Sequence, residues 1–149
     1  MELIIKYRDK NSKGTMRINV ENFLNMRKIA KFKKLLKVID TSDTPEAKEQ
    51  LKAYIVDYLE SAYERLEEYA NKAVNAKTEY KEKEPELTKL IYARDRYKKG
   101  SAKYKEAGKK VKAKREELRH LKAVWSAQES YFNDTMKNKK FYKKCLDLL

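Results

Sequence analysis

The sequence contains few residues that interrupt helices or cross-link small domains: three Gly, two Pro and one Cys among 149 residues. This scarcity, together with a charged fraction of 40%, is typical of long solvent-exposed helices and not of a loop-rich globule. Aromatic residues make up 11% of the chain, which is enough to furnish a core. We therefore expect a folded, mainly α-helical chain of about one domain's length.

The scarcity of Cys and His excludes several kinds of site. Cys145 has no second cysteine for an internal disulfide, and Cys145 with His120 cannot supply the four ligands that a structural zinc ion usually takes. We therefore expect no cofactor. No apolar run approaches the roughly 20 residues of a membrane span, and the start of the chain lacks a signal peptide's apolar core. The sequence thus predicts a cytoplasmic protein in a reducing compartment.

Positive charge is the main excess, because the formal net charge is +14 and comes from 29 Lys against 8 Arg. Lysine is a flexible point charge that suits the diffuse field of a polyanion. Arginine is favoured where phosphate or guanine is held by two parallel hydrogen bonds. Any nucleic-acid contact is therefore expected to involve the backbone and not the base sequence.

The first 40 residues are predicted to form a ββα unit. Apolar and polar side chains alternate over residues 3–8 and 16–20, and the segment Asp9–Gly14 between them has turn chemistry. This pattern predicts a β-hairpin, which needs a covering helix because a lone hairpin is only marginally stable. Apolar residues at helical spacing from about Glu21 to Ile39 predict that helix.

Residues 45–134 are predicted to form an antiparallel helical hairpin that resembles a coiled coil. Apolar residues recur at steps of 3 and 4 along both arms, with Lys114 and Gln128 as polar members of the second stripe. Residues 45–82 carry a net charge of −3 and residues 85–134 a net charge of +7. Opposite charges on facing flanks favour the pairing of these two arms.

Prolines and glycines predict where the arms turn. Pro85 indicates the turn of the hairpin and places its tip near Lys83 and Glu84. Gly100 and Ser101 then predict a break within the second arm. Residues 135–149 are predicted to form a short amphipathic helix that docks on the base of the hairpin.

The strongest functional signal is a basic run over residues 98–119, with ten Lys or Arg against three Glu. At 100° per residue, most of these cations lie opposite or beside the apolar stripe. Such a ridge matches a polyanion backbone, where each neutralised phosphate releases counterions. The alternative is a solvated face that only keeps the protein soluble. The candidate residues of this lysine ridge are Lys98, Lys99, Lys103, Lys105, Lys109, Lys110, Lys112 and Arg119.

A second basic set lies in the helix predicted to cover the β-hairpin. Its candidate residues are Arg27, Lys31, Lys34 and Lys37. An anionic membrane surface is one possible partner for a basic amphipathic helix. We do not expect membrane binding, because the apolar face is needed to cover the hairpin and no lipidation signal is present.

Three tyrosines flank the basic run and are candidates for stacking on bases: Tyr92, Tyr97 and Tyr104. Catalysis, by contrast, has little support. The chain has no Gly-rich phosphate loop and no paired Cys or His motif, and His120 has no Asp or Ser partner on its face. We therefore predict a binding protein and not an enzyme.

The Lys-, Asn- and Tyr-rich composition resembles that of short proteins encoded by AT-rich bacteriophage and mobile-element genomes, many of which inhibit a host enzyme. Two hypotheses follow. In the first, the lysine ridge binds nucleic acid or a ribonucleoprotein. In the second, the protein acts in the host cytoplasm as an anti-CRISPR-like inhibitor of a defence enzyme, or as a helical adaptor, by contacting an acidic protein surface. Homodimerisation through the long helices is compatible with either hypothesis.

Overall fold

The mainly α-helical fold with a small N-terminal sheet is confirmed. The computed structural model describes residues 1–9 and 12–149, so Lys10 and Asn11 of the predicted turn lie outside the described residues. About 80% of the chain is helical. The elements are β1 (Glu2–Asp9), β2 (Ser12–Asn19), α1 (Val20–Asn25), α2 (Ile29–Asp40), α3 (Glu46–Asp95) and α4 (Ala102–Leu148).

The chain divides into two compact units. The first unit comprises residues 1–66 and 134–149, and the second comprises residues 67–133. Each unit contains one stretch of α3 and one stretch of α4. The sheet, α1 and α2 belong to the first unit.

In the first unit, β1 and β2 pair antiparallel with Leu3 opposite Ile18 and Tyr7 opposite Gly14. Leu3 and Ile5 alternate with exposed neighbours and are completely buried in the core, as expected for a sheet with one covered face. A Cβ atom on Gly14 would lie 2.3 Å from the Tyr7 ring. Only glycine therefore lets this ring lie across the neighbouring strand.

The predicted covering helix is interrupted, because α1 ends at Asn25 and α2 begins at Ile29. Arg27, in the link between them, has a φ of 53°. This left-handed conformation is uncommon for a residue with a Cβ atom and is incompatible with a continuous helix. Phe32, Leu35 and Ile39 of α2 are buried, as their spacing predicted.

The predicted C-terminal helix over residues 135–149 is present as the last part of α4 and not as a separate element. No Gly or Pro interrupts the chain between Gly108 and its end, which explains the continuity. Tyr142 and Cys145 are completely buried in the first unit, and the Tyr142 ring centroid is 4.0 Å from that of Tyr58. Burial raises the pKa of the Cys145 thiol to about 12.

The prediction of a hairpin turn at Pro85 is wrong. In the second unit, α3 continues through Pro85 to Asp95, and α4 begins at Ala102. Residues 96–101 therefore form the turn, where Gly100 adopts a φ of 83° that favours glycine. Pro85 is exposed on the helix surface. Because proline has no N–H, the helix loses one backbone hydrogen bond at this position, but it does not end there.

The second unit is held together by a narrow seam between the arms. Small and aliphatic side chains are buried along it: Ala73, Ala76, Val111, Leu118 and Leu121. Aromatic pairs continue the seam, with ring centroids 6.2 Å apart for Tyr80 and Trp125 and 5.6 Å apart for Tyr69 and Tyr131. The arms are antiparallel, because Tyr69 pairs with Tyr131, whereas Tyr80, which is later in α3, pairs with Trp125, which is earlier in α4.

We predict that Leu118→Ala destabilises the protein by about 2–5 kcal/mol, because the side chain is only 5% exposed and its removal leaves a cavity in the seam. Chemical denaturation measures the change. His120→Ala is the matched control on the exposed face of the same helix and should change the free energy of unfolding by less than about 0.5 kcal/mol. Equal small effects at both positions would contradict the observed packing of the arms.

Candidate nucleic-acid interface

The lysine ridge lies at a different position in the hairpin from the one predicted, because the turn is not at Pro85. With the turn at residues 96–101, the basic run lies at the end of the hairpin and not along the middle of one arm. The last turns of α3 add Lys89 and Arg94 to it, and the turn adds Arg96. Residues 87–113, which we call the basic tip, contain ten Lys or Arg against Asp95 and Glu106 alone.

The lysines of the basic tip are exposed and uncompensated. In the part of the chain that the structure describes, none of them forms an ion pair or a side-chain hydrogen bond. The members of this set on the turn and on α4 are Lys98, Lys99, Lys103, Lys105, Lys109, Lys110 and Lys112. Arg119 is also exposed but lies beyond the tip, past Glu117 on α4.

The helix dipole makes this concentration of positive charge less favourable. The amino terminus of a helix carries a partial positive charge, which favours Asp and Glu in the first turn and disfavours cations. The first turn of α4 contains no acidic residue, and Lys99, Lys103 and Lys105 lie at or beside it. The Ser101 hydroxyl oxygen accepts a hydrogen bond from the Tyr104 amide at 3.2 Å and satisfies one free donor of the helix end.

Lysines below the tip have a different environment, because carboxylates of the opposite arm pair with them. Lys83 of α3 contacts Glu117 of α4, and it also contacts Glu79 at 2.9 Å. Lys114 of α4 contacts Glu86 of α3 at 2.9 Å and Glu117 at 3.0 Å. We call these five residues the inter-arm ion-pair network.

This network explains why a lysine occupies the apolar stripe of the second arm. The pKa of the Lys114 ammonium is raised by its hydrogen bonds to Glu86 and Glu117, and the pKa of the Glu117 carboxyl is lowered by those from Lys83 and Lys114. Polar residues at seam positions select one register of a coiled coil. The network therefore helps to determine which residues of α3 and α4 lie at the tip.

The three stacking candidates have different environments. Tyr92 near the end of α3 is 67% exposed, and Tyr97 in the turn is 43% exposed. Tyr104 on α4 is half-buried, and the Arg94 guanidinium carbon lies 5.7 Å from its ring centroid. Tyr104 is therefore already engaged by a cation, whereas Tyr92 and Tyr97 present free ring surface.

The second basic set belongs to the first unit and is not one helical face. Lys31, Lys34 and Lys37 are exposed on α2, away from its buried residues. Arg27 lies in the link before α2, where its guanidinium donates a hydrogen bond to the Asn138 side-chain oxygen at 3.3 Å. Arg27 thus contacts α4 within its own unit, in contrast to the lysines on α2.

Sequence reasoning missed the contribution of α3 to the tip because it placed the turn at Pro85. The Gly100–Ser101 pair was the signal that located the real turn, but it was interpreted as a break in one arm. It also missed a groove on the outer side of α3, with a volume of about 470 Å³. This groove is lined by Lys81, Glu84, Pro85, Thr88, Lys89 and Tyr92.

Other kinds of site find no support in residues 1–9 and 12–149. No three His, Cys, Asp or Glu side chains in these ranges are grouped as a metal site requires. None of the helices described combines the length and the apolar character that crossing a membrane takes. Comparison with models of known protein families, with curated proteins and with solved structures finds no significant similarity to any of them.

We predict that the ion-pair network stabilises the protein at neutral pH and not in acid. A carboxyl whose pKa is lower in the folded state stabilises the fold above its unfolded value of about 4.5, and this contribution is lost as the pH falls through the folded pKa. Glu117→Gln should therefore lower the melting temperature at pH 7, and the difference from the wild type should shrink in acid, as the pH falls below about 4.5 and through the folded pKa.

Thermal unfolding followed by circular dichroism measures this difference. Glu116→Gln is the matched control, because Glu116 is exposed and forms no ion pair and no side-chain hydrogen bond within the described residues. It should leave the melting temperature nearly unchanged at both pH values. A Glu117→Gln deficit of the same size in acid would show that packing, and not the carboxylate charge, is responsible.

Proposed function

We propose that the protein binds nucleic acid through its basic tip, with lysine side chains contacting backbone phosphates, and that it catalyses no reaction. One observation carries this proposal. Seven exposed lysines without intramolecular partners, among the residues described, lie on the turn and along the first turns of α4, beginning at the positive end of its dipole. Their mutual repulsion destabilises the folded chain, and a polyanion relieves it.

The chemistry of the tip favours backbone contact over base-pair recognition. Lysine ammonium groups act as point charges, and their contacts to phosphates release condensed counterions irrespective of sequence. The two arginines of the tip are Arg94 and Arg96. The Arg94 side chain is engaged by Asp95 at 3.0 Å and by the Tyr104 ring, which limits it as a reader of base edges.

A groove of about 420 Å³ in the second unit supports a second candidate function. It is lined by Ala70, Ala73, Val74, Glu129, Phe132 and Asn133, and Val74 is 60% exposed. An exposed aliphatic side chain beside an apolar groove suits a protein partner. In this alternative the protein is an inhibitor or adaptor of an acidic host protein, and its affinity depends less on salt than phosphate binding does.

We predict that reversing Lys105, Lys109 and Lys112 to Glu weakens nucleic-acid binding by about 100-fold or more at low salt. The variant lowers the net charge from +14 to +8 and leaves the seam residues unchanged, so the fold should persist. Fluorescence anisotropy with a labelled oligonucleotide measures the affinity across a salt series. The slope of log K against log salt should become shallower by about two units, because three phosphate contacts are lost.

Lys31, Lys34 and Lys37 provide the matched control, since they are three exposed lysines on one helix of the other unit. Their reversal to Glu changes the net charge equally and should weaken binding only by the long-range effect of charge. A comparable loss in both variants would mean that overall charge, and not the tip, determines binding. A loss confined to the α2 variant would assign the interface to the first unit instead.

A further inference from the structure

The groove on the outer side of α3 has flat apolar surfaces beside the basic tip. Pro85, Thr88 and Tyr92 lie on one face of the helix at steps of 3 and 4, and all three line the groove. The Tyr92 ring is 67% exposed although it belongs to the last helical turn before the hairpin's end. Its exposed π-face is therefore available to a planar ligand.

Pro85 gives the same groove a hydrogen-bond acceptor. Proline has no N–H, so the carbonyl oxygen of Lys81, four residues earlier, lacks its usual intrahelical donor. Lys81 and Pro85 both line the groove. Glu84 lines the groove as well, so its carboxylate is a second potential acceptor on a lining that is otherwise mainly apolar.

This combination favours a nucleobase over a phosphate group. An aromatic ring and a proline ring provide stacking surface, and the acceptors suit the exocyclic amino groups that bases carry. The Glu84 carboxylate disfavours a phosphate within the groove, whereas the positive charges of Lys81 and Lys89, which also line it, attract the adjoining backbone.

We propose that Tyr92, Pro85 and the Lys81 carbonyl bind an unpaired nucleobase, so that the nucleic acid held by the basic tip is single-stranded where it passes α3. This inference rests on the proposed function and adds the class of nucleic acid to it. A base inside a duplex has its faces covered by its neighbours and cannot stack on the tyrosine. Base stacking is also tolerant of sequence, in keeping with the lysine-rich tip.

The duplex alternative fits the geometry of the tip less well. The major groove is about 12 Å wide and admits a single α-helix. Two paired helices, each about 10 Å across with axes about 8–10 Å apart, are together too wide to enter it. The hairpin end therefore cannot enter the major groove as a whole, and lysines on both arms can contact a duplex together only along its outer phosphates.

The test measures anisotropy of four labelled probes of equal length, about 20 nucleotides each, which exceeds a typical single-domain site. The probes are single-stranded DNA, single-stranded RNA of the same sequence, the DNA duplex, and a DNA strand without bases. Wild-type protein should bind both single strands more tightly than the strand without bases. Tyr92→Ala should weaken single-strand binding about 5- to 100-fold and leave binding to the baseless strand unchanged.

Variants separate stacking from loss of structure. Tyr92→Phe keeps the ring and should retain single-strand affinity within about twofold. Tyr63→Ala removes a tyrosine of similar exposure, 71%, from the first unit and should have no effect. Pro85→Ala supplies an N–H to the Lys81 carbonyl and should raise the melting temperature while weakening single-strand binding about 2- to 10-fold.

The outcomes distinguish this inference from the proposed function. If the wild type binds all probes equally and Tyr92→Ala changes none of them, the base site does not exist but phosphate binding by the tip stands. A preference for the duplex would likewise overturn the base site alone. If the wild type binds no probe, the proposed function fails and the base site fails with it.

Discussion

The narrow seam between α3 and α4 is the constraint on which the second unit depends. Each arm has one thin apolar stripe, and a helix with so little apolar surface gains its stability from packing against a partner. Ala73 and Ala76 let the arms approach closely, and Leu118 and Leu121 fill the space opposite. Once the seam is formed, the outer faces of both helices must carry charge.

The inter-arm ion-pair network then fixes the register that the small seam residues leave open. Lys114 can occupy a seam position because Glu86 of the facing helix accepts its hydrogen bond, and Glu117 contributes a second one. A slip of one helical turn would separate these charges in a partly buried position. The consequence for the proposed interface is geometric, because register determines that Lys89 of α3 lies at the same end of the hairpin as Arg96 of the turn and the lysines of α4.

The basic tip departs from the charge placement found at the start of α3. The first turn of α3 contains Glu46 and Glu49, and Lys72 pairs with Glu68 at 2.7 Å, whereas the first turns of α2 and α4 contain no acidic residue. At the start of α4 this charge placement is reversed, because cations lie at the positive end of the helix dipole. Natural sequences break local consistency mainly at functional sites, where binding compensates for the loss of stability.

Periodicity predicted much of the fold from the sequence. Alternation identified the strands, and spacing of 3 and 4 identified buried helix residues such as Phe32 and Leu118, although it did not identify Tyr142, which is completely buried. These predictions succeed because burial depends directly on which residues share a face. The exposure of the ridge lysines followed from the same argument, since they lie opposite the seam.

Local backbone events were harder to predict. The sequence pattern predicts a helix end at Pro85, but a proline on an exposed face removes only one hydrogen bond and the seam on the opposite side continues past it. The left-handed Arg27 has no signature in its residue type, because a left-handed residue is usually Gly or Asn. The groove beside Tyr92 could not be predicted, because it exists only if the helix continues through Pro85.

Lysine footprinting by mass spectrometry tests the central claim most directly. The protein is acetylated with and without a saturating single-stranded oligonucleotide, and the rate of modification is compared lysine by lysine. The account predicts protection of the tip lysines Lys98, Lys99, Lys103, Lys105, Lys109, Lys110 and Lys112, and unchanged rates at Lys31, Lys34 and Lys37. Protection of the α2 lysines with the tip lysines unchanged, or protection of none, would contradict it.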